Sequence, residues 1–278
     1  MLTPEQQAEF LRCGILRVPV AVPPRAAEAM CDSVWAMLGR RYHILRDDRE
    51  TWKSQRVMGT RDIPASMRCE QIASPMVRSI LDDLLGTGAW DPPEHWGSLL
   101  VSFPGAFPVA RDGWDVPHEG WHLDAPVVRS LPNLYGLRIF TCLAKLQPQG
   151  GATLAVAGSA RLAQGLAGAR GMAKIRSADV RKGLVQRYRW MKDLCSSDAA
   201  VDRVHHFMNT ATALEDVELR VVEMTGEPGD VYLMHPLTMH AASPNCADVP
   251  RVALSTTVYQ RGVDWHALYD ADAMGANS

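Results

Sequence analysis

The stretch Pro117-His118-Glu119-Gly120-Trp121-His122-Leu123-Asp124-Ala125-Pro126 admits two incompatible readings. From its first histidine it is a literal H-E-x-x-H string. On a helix that string sets His118 and His122 on one face with Glu119 beside them, the general base of a zinc hydrolase. Four residues later, His122-Leu123-Asp124 is an H-x-D pair. On an extended chain positions i and i+2 point the same way, so His122 and Asp124 share one side and Leu123 takes the other. The surroundings oppose a helix: Gly120 sits in the middle, Pro126 follows two residues after Asp124, and Arg111-Asp112-Gly113 upstream reads as a loop. No third zinc ligand follows at a fixed interval. The strand is the preferred reading, and a zinc hydrolase through His118, Glu119 and His122 is the lesser alternative.

Two ligands on one side of a strand need a third. Two histidines and one carboxylate, with further positions left open, suit Fe(II) oxygenases, in which cosubstrate and O2 bind the same metal. An isolated H-x-D string is weak evidence in a chain with nine histidines. Residues 226–259, GEPGDVYLMHPLTMHAASPNCADVPRVALSTTVY, offer His235 and His240 as third ligands. The segment reads as a Gly-Asp turn, an apolar strand, a His-bearing loop, a Pro-Asn turn, and a strand led by Arg251. His240 lies 11 residues before Arg251, just enough chain to turn and return on a neighbouring strand. An arginine there can grip a carboxylate through two parallel N–H bonds.

Outward from these motifs, the chain divides by texture. Thr3-Pro4-Glu5-Gln6 opens a capped helix that Gly14 stops, and a short strand follows over 15–20. Met30, Val34, Met37 and Leu38 fall at helical spacing before Gly39, and Ser74-Pro75 opens a third helix ending before Gly86. From about residue 97, short β-branched and apolar runs alternate with Gly, Pro and Asn. Strands are predicted over 98–103, 137–146, 152–157, 218–224, 230–234 and 253–260, with helical character between 160 and 210. Without β-α-β alternation or a Gly-rich phosphate loop, this order predicts an antiparallel sandwich or barrel with helices outside. The expected organisation is one oxygenase domain over 1–278. In it, 1–96 form a mainly helical scaffold, 97–159 and 218–260 the strands, and 160–217 a helical insertion or lid.

Composition narrows the partners. The balance of 29 basic against 31 acidic residues supplies no global field for nucleic acid or an anionic membrane. The first residues lack the basic and apolar regions of a signal peptide, and no run reaches membrane-spanning length. Six scattered cysteines without a C-x-x-C pair read as reduced thiols, hence a cytoplasmic protein; either a monomer or a homodimer is expected. Nine of the residues between 160 and 192 are basic (Arg161, Arg170, Lys174, Arg176, Arg181, Lys182, Arg187, Arg189 and Lys192), against one acidic residue, Asp179. A solvated helix face is the plain account. A lid that attracts an anionic or carrier-linked substrate is the sharper one.

HLD at 122–124, QGGATLAVAGSARL at 149–162, GDVYLMHPLTMHAASPN at 229–245 and Arg251 occur in an order that resembles the phytanoyl-CoA dioxygenase family of Fe(II)/2-oxoglutarate oxygenases. The resemblance covers roughly residues 98–260. It implies a mostly β fold with flanking helices, built on a double-stranded β-helix of the jelly-roll or cupin kind. It implies iron held by His122, Asp124 and His240, with Arg251 on the far carboxylate of 2-oxoglutarate. The implied reaction uses O2, releases succinate and CO2, and oxidises, most simply hydroxylates, a C–H bond of a small-molecule substrate. Two positions depart from the family's habit, Ala242 and Ala160 standing where serine and histidine are frequent. Ser243 or Thr153 then substitutes in cosubstrate binding. Related halogenases lack the carboxylate, so Asp124 favours oxidation over halogenation. The runner-up from another class is a non-catalytic jelly-roll protein that binds a small molecule or metal.

Several residues have plainer roles. His235 reads as a structural histidine at a strand end, because His240 carries the spacing to Arg251. His118 and Glu119 read as solvent-facing rather than as the pocket mouth, and Trp114 and Trp121 as core as readily as pocket wall. The loops around 105–120 and residues 160–210 are expected to set specificity.

Overall fold

The computed structural model of the chain describes residues 1–52, 56–59, 69–105, 113–170, 174–264 and 268, without side chains at 56–59 and 167–170. Arg111 and Asp112 of the expected loop, and residues 106–112 of the expected specificity loop over 105–120, lie outside them.

Three helices come first. In α1 (Pro4–Cys13) Thr3 and Gln6 close the capping box reciprocally, and Gly14 ends the helix at φ 70° by donating its N–H to the Phe10 carbonyl. Helix α2 (Pro24–Tyr42) runs past Gly39 to a left-handed His43. A helical glycine costs only about 1 kcal/mol, and the buried stripe of Met30, Val34, Met37 and Leu38 holds the helix to the core. Helix α3 (Pro75–Leu85) starts where Ser74 accepts the Val77 N–H.

The strands form two main antiparallel sheets. The larger has the order β1 (Ile15–Val18), β10 (Val231–Met234), β5 (Gly136–Cys142), β12 (Arg251–Tyr259), β3 (Ser98–Ser102), β2 (Arg56–Gly59). The smaller has the order β11 (His240–Ala242), β6 (Thr153–Ala157), β9 (Val217–Glu223), β8 (Thr212–Leu214). A two-stranded ribbon pairs β4 (Val127–Val128) with β7 (Lys174–Ile175). The N-terminal scaffold thus also contributes strands, β1 and β2, to the larger sheet.

Strand alternation distributes the side chains between three apolar clusters. Leu137 and Ile139 of β5, Leu233 of β10 and Leu254 of β12 face outward onto α2 and α3. Phe140, Cys142, Met234 and Ala253 face inward, where they meet Ala155 and Ala157 of the smaller sheet. Leu154, Val156, Leu219 and Val221 face out from the smaller sheet, under α4 (Ser159–Arg170), α5 (Ser177–Arg187) and α6 (Arg189–Leu194). The result is the jelly roll: two sheets, helices outside each, and an interior space between them. The insertion helices bury Leu162, Leu184, Trp190 and Met191 against the outer side of the smaller sheet.

Candidate metal centre

The segment 117–124 is not helical. Gly120 takes φ +79°, a conformation that breaks a right-handed helix, so His118 and His122 never share a helix face. His118 is half exposed and lies beside the exposed Glu119 at 3.6 Å. The zinc-hydrolase alternative fails on this geometry. Instead the chain at His122 extends the smaller sheet past β11. His122 N–H donates to the His240 carbonyl and His240 N–H to the His122 carbonyl, both at 2.9 Å. Directly opposed residues project on the same side of a sheet, and the two rings stand 4.2 Å apart. Leu123 points away into the outer cluster, as the i, i+2 rule requires.

His122, Asp124 and His240 bring one ligand atom each within 4.8 Å of one another. Asp124 Oδ1 lies 3.7 Å from His122 Nε2 and 3.5 Å from His240 Nε2. Each imidazole is oriented from behind. His122 Nδ1 sits 2.8 Å from the Gly120 carbonyl and His240 Nδ1 3.0 Å from the Thr238 carbonyl. A carbonyl only accepts, so both Nδ1 atoms carry the proton and both Nε2 lone pairs face Asp124. Burial lowers the His240 pKa to about 4, against the pull of the Asp124 carboxylate. Burial pushes Asp124 up, but His240, Arg138 and His122 together outweigh it and hold the carboxyl below its ordinary value. With the His240 ring uncharged at neutral pH, Arg138 remains a cation beside the carboxylate. Neutral imidazole and ionised carboxylate are the ligating forms, so the donor set fits a divalent metal. Asp124 Oδ2 is buried with no hydrogen-bond partner, and Arg138 Nε approaches it at 3.6 Å.

The arm carrying His122 and Asp124 is held on both sides. Upstream, Arg203 donates to five backbone carbonyls: Val116 and Pro117 on the arm, and Asp193, Leu194 and Ser196 at the end of α6. Its guanidinium also lies over the Phe207 ring. Trp121 is buried in the outer cluster and donates to the Pro117 carbonyl, so it is core rather than pocket wall. Downstream, Tyr135 Oη donates to the Pro126 carbonyl and β4 pairs with β7 of the insertion.

The buried Arg251 enters at the start of β12, opposite Ser102 of β3. Its Nη1 donates to the Gly151 carbonyl and its Nη2 to Thr153 Oγ1, each at 2.9 Å. Thr153 pairs with Ala242, while Ala155, two residues along β6, pairs with His240. Two strand residues span about 6.6 Å, so Arg251 is anchored one short diacid's length along the sheet from the histidine. A side chain at Gly151 would meet Ser102 Oγ and Asn245 Cβ within 3 Å, and φ +78° excludes most alternatives there. Ser243 donates to the Ala152 carbonyl, on the same turn into β6.

His235 stands apart from the triad. Nδ1 accepts the Leu237 N–H, Nε2 lies 2.9 Å from the Asn133 carbonyl, and burial lowers its pKa to about 4. Four of the basic residues of the insertion sit in ion pairs: Arg161 with Asp216, Arg176 with Asp179, Arg187 with Glu215, and Arg189 with Asp193. The Arg170 side chain lies outside the described residues. All six cysteines are free thiols, and no described helix is long and apolar enough to cross a membrane.

Two residues escaped the sequence. Arg138 interrupts the apolar run Gly136–Cys142 at an inward position, a signal that was readable. Arg203 had none, because its partners are carbonyls, which every residue has.

The family model described as phytanoyl-CoA dioxygenase (PhyH) matches residues 12–253. The chain belongs to this family. No curated protein matches it in sequence. Among solved structures, HygX from Streptomyces hygroscopicus, crystallised with nickel and 2-oxoglutarate, matches at 14% identity and TM-score 0.53, over 94% of this chain and 88% of HygX. The carbocyclase SnoK from nogalamycin biosynthesis matches at 18% and 0.51, over 95% and 88%. The epimerase SnoN from the same biosynthesis matches at 14% and 0.50, over 94% and 86%. At these identities the likeness is one of fold.

Proposed function

We propose that this member of the phytanoyl-CoA dioxygenase family is an Fe(II)- and 2-oxoglutarate-dependent oxygenase that hydroxylates a C–H bond of a small-molecule substrate. The observation that carries this reading is the convergence of His122, Asp124 and His240, both imidazoles turned by backbone carbonyls to present Nε2, with a buried arginine of the facing sheet bonded to Gly151 and Thr153 beside the His240 strand. His122, Asp124 and His240 would hold the metal, and Arg251 would pair with the far carboxylate of 2-oxoglutarate. When bound, iron and 2-oxoglutarate supply the oxidising chemistry, consuming O2 and releasing succinate and CO2 as a substrate C–H bond is oxidised.

The protein's own part is orientation and exclusion of water. The Gly120 and Thr238 carbonyls fix the histidine tautomers. His240, Arg138 and His122 together hold the Asp124 carboxyl below its ordinary range against the push of burial. Thr153 aims the Arg251 fork by accepting from Nη2, and Ser243 acts through the turn it holds rather than by touching cosubstrate. Phe140, whose ring lies 6.5 Å from that of His240, belongs to the apolar interior that keeps water from the buried side of the site.

The test is an anaerobic titration with Fe(II) and 2-oxoglutarate. A visible metal-to-ligand charge-transfer band, followed on aeration by succinate release, is the expected result. Zinc binding with no such band under any loading would overturn the assignment.

A further inference from the structure

A cavity of about 610 Å³ is lined by Arg138, the neighbour of Asp124, and by none of the three triad residues. Its floor is the inward face of the larger sheet: Ser98 of β3, Arg138 of β5, and Ser255, Thr257 and Tyr259 of β12. Pro92, Pro93 and Val263 form apolar parts of its wall. Arg138 joins this floor to the triad, through its 3.6 Å approach to Asp124.

We propose that the Arg138–Ser255–Thr257 cluster is the substrate's anchor, and that it binds a carboxylate on a compact molecule. This rests on the oxygenase reading given above, and it names the substrate class of that site. Arg138 Nη1 donates to Thr257 Oγ1 and Nη2 to Ser255 Oγ, both at 3.1 Å. Each nitrogen keeps a second N–H. Each hydroxyl, having accepted from the guanidinium, must turn its own proton elsewhere. The cluster therefore offers up to four donors around one fixed positive charge, on a side chain 24% exposed at the cavity floor. That inventory suits a planar carboxylate.

The surrounding charges limit the anion. Asp124 lies behind Arg138, and Asp91 and Glu94 stand on the cavity wall, Asp91 in an ion pair with Arg261. Two guanidiniums, one of them already paired with Asp91, stand among three carboxylates, and the small positive surplus left at Arg138 favours a monoanion over a phosphate dianion. The carboxylate end would be tethered next to Asp124, so a C–H bond close to it, rather than one at the far end of the molecule, would be presented to the metal.

The test uses the full chain loaded with zinc and 2-oxoglutarate, which binds without turnover. The probes are small aliphatic and aromatic carboxylic acids, each paired with its own primary carboxamide, and the readout is isothermal titration. Wild type should prefer acids over amides by about 10- to 100-fold, the range of a charge-assisted hydrogen-bond set. Arg138→Met should abolish that preference, and Ser255→Ala with Thr257→Val should lower acid affinity several-fold while the arginine remains. If no acid outbinds its amide, or if Arg138→Met keeps the preference, the proposal is overturned. If folded Arg138→Met instead loses 2-oxoglutarate binding, Arg138 belongs to the cosubstrate and the proposal again falls. Should Arg138→Met not fold, the hydroxyl variant decides, and unchanged acid affinity overturns the anchor. Wild type that fails to bind 2-oxoglutarate sinks the oxygenase reading alone, because the acid–amide preference remains measurable on the zinc-loaded chain.

Discussion

His240 enters the site on β11, paired residue by residue with β6 and only 6% exposed, whereas His122, 54% exposed, enters on a segment that makes a single bridge to that strand. The first arm is positioned by sheet geometry. The second is positioned by side chains: the Arg203 clamp before it, Tyr135 after it, and Trp121 and Leu123 plugged into the outer cluster. A ligand on a regular strand inherits its place from the fold, while a ligand on an irregular segment depends on a few individual bonds. Mutations should therefore divide the two arms.

The largest effect removes the ligand they share as a neighbour. Asp124→Ala should weaken Fe(II) binding by more than about 100-fold, beyond the usual range for outer-sphere substitutions. Loss of the charge-transfer band with a retained Tm would confirm it, and an unaltered band would reject Asp124 as a ligand. Next comes the side-chain arm. Arg203→Ala removes all five donations to the Val116, Pro117, Asp193, Leu194 and Ser196 carbonyls and should cost on the order of 3 kcal/mol of stability. Metal affinity should fall with it, read by thermal melting beside metal titration. If stability fell with no change in metal affinity, the clamp would be structural only.

The sheet-borne arm has its own weakness, which is acid. His235 orders the turn into His240 by accepting the Leu237 N–H on an unprotonated Nδ1. Its folded pKa, about 4, lies below the ordinary 6.5. Between those values the unfolded chain binds the extra proton, so stability is full above about pH 6.5 and declines as pH falls toward 4. At pH 4.5 the loss should be on the order of 2 kcal/mol from this residue. Denaturant midpoints at pH 7 and 4.5, compared with those of His235→Gln, isolate the contribution; equal pH slopes in the two proteins would refute it. The smallest effect lies at the far end of the same sheet. Thr153→Val removes one acceptor of the Arg251 fork and should raise the 2-oxoglutarate dissociation constant several-fold, for a loss of about 1 kcal/mol.

The two arms were also unequally legible. The i, i+2 spacing of His122 and Asp124 and the 11-residue interval from His240 to Arg251 are chain-local patterns. They carry the strand reading and the family resemblance by themselves. The order of helices and strands carried the layering, because apolar alternation records which face is buried. Strand β11 was hidden, since HPLTMHAASPN has the composition of a loop and becomes a strand only through β6 and His122. The stop expected at Gly39 failed because tertiary burial of α2 outweighs one glycine. Arg203 was beyond sequence reasoning, its five acceptors lying on two separated segments. Arg138 was within reach, as a charge at an inward position of an apolar strand.

The reciprocal bridge between His122 and His240 also says something about time. The two residues are on the order of a hundred positions apart, so their pairing closes a long loop, a contact that pays its entropy before it is rewarded and tends to form late in folding. A chain still assembling its sheets has His122 and Asp124 on one piece and His240 on another. The three proposed ligands are then not yet together. The competence to take up metal should arrive with the last closure of the jelly roll, making iron uptake during refolding a clock for that step.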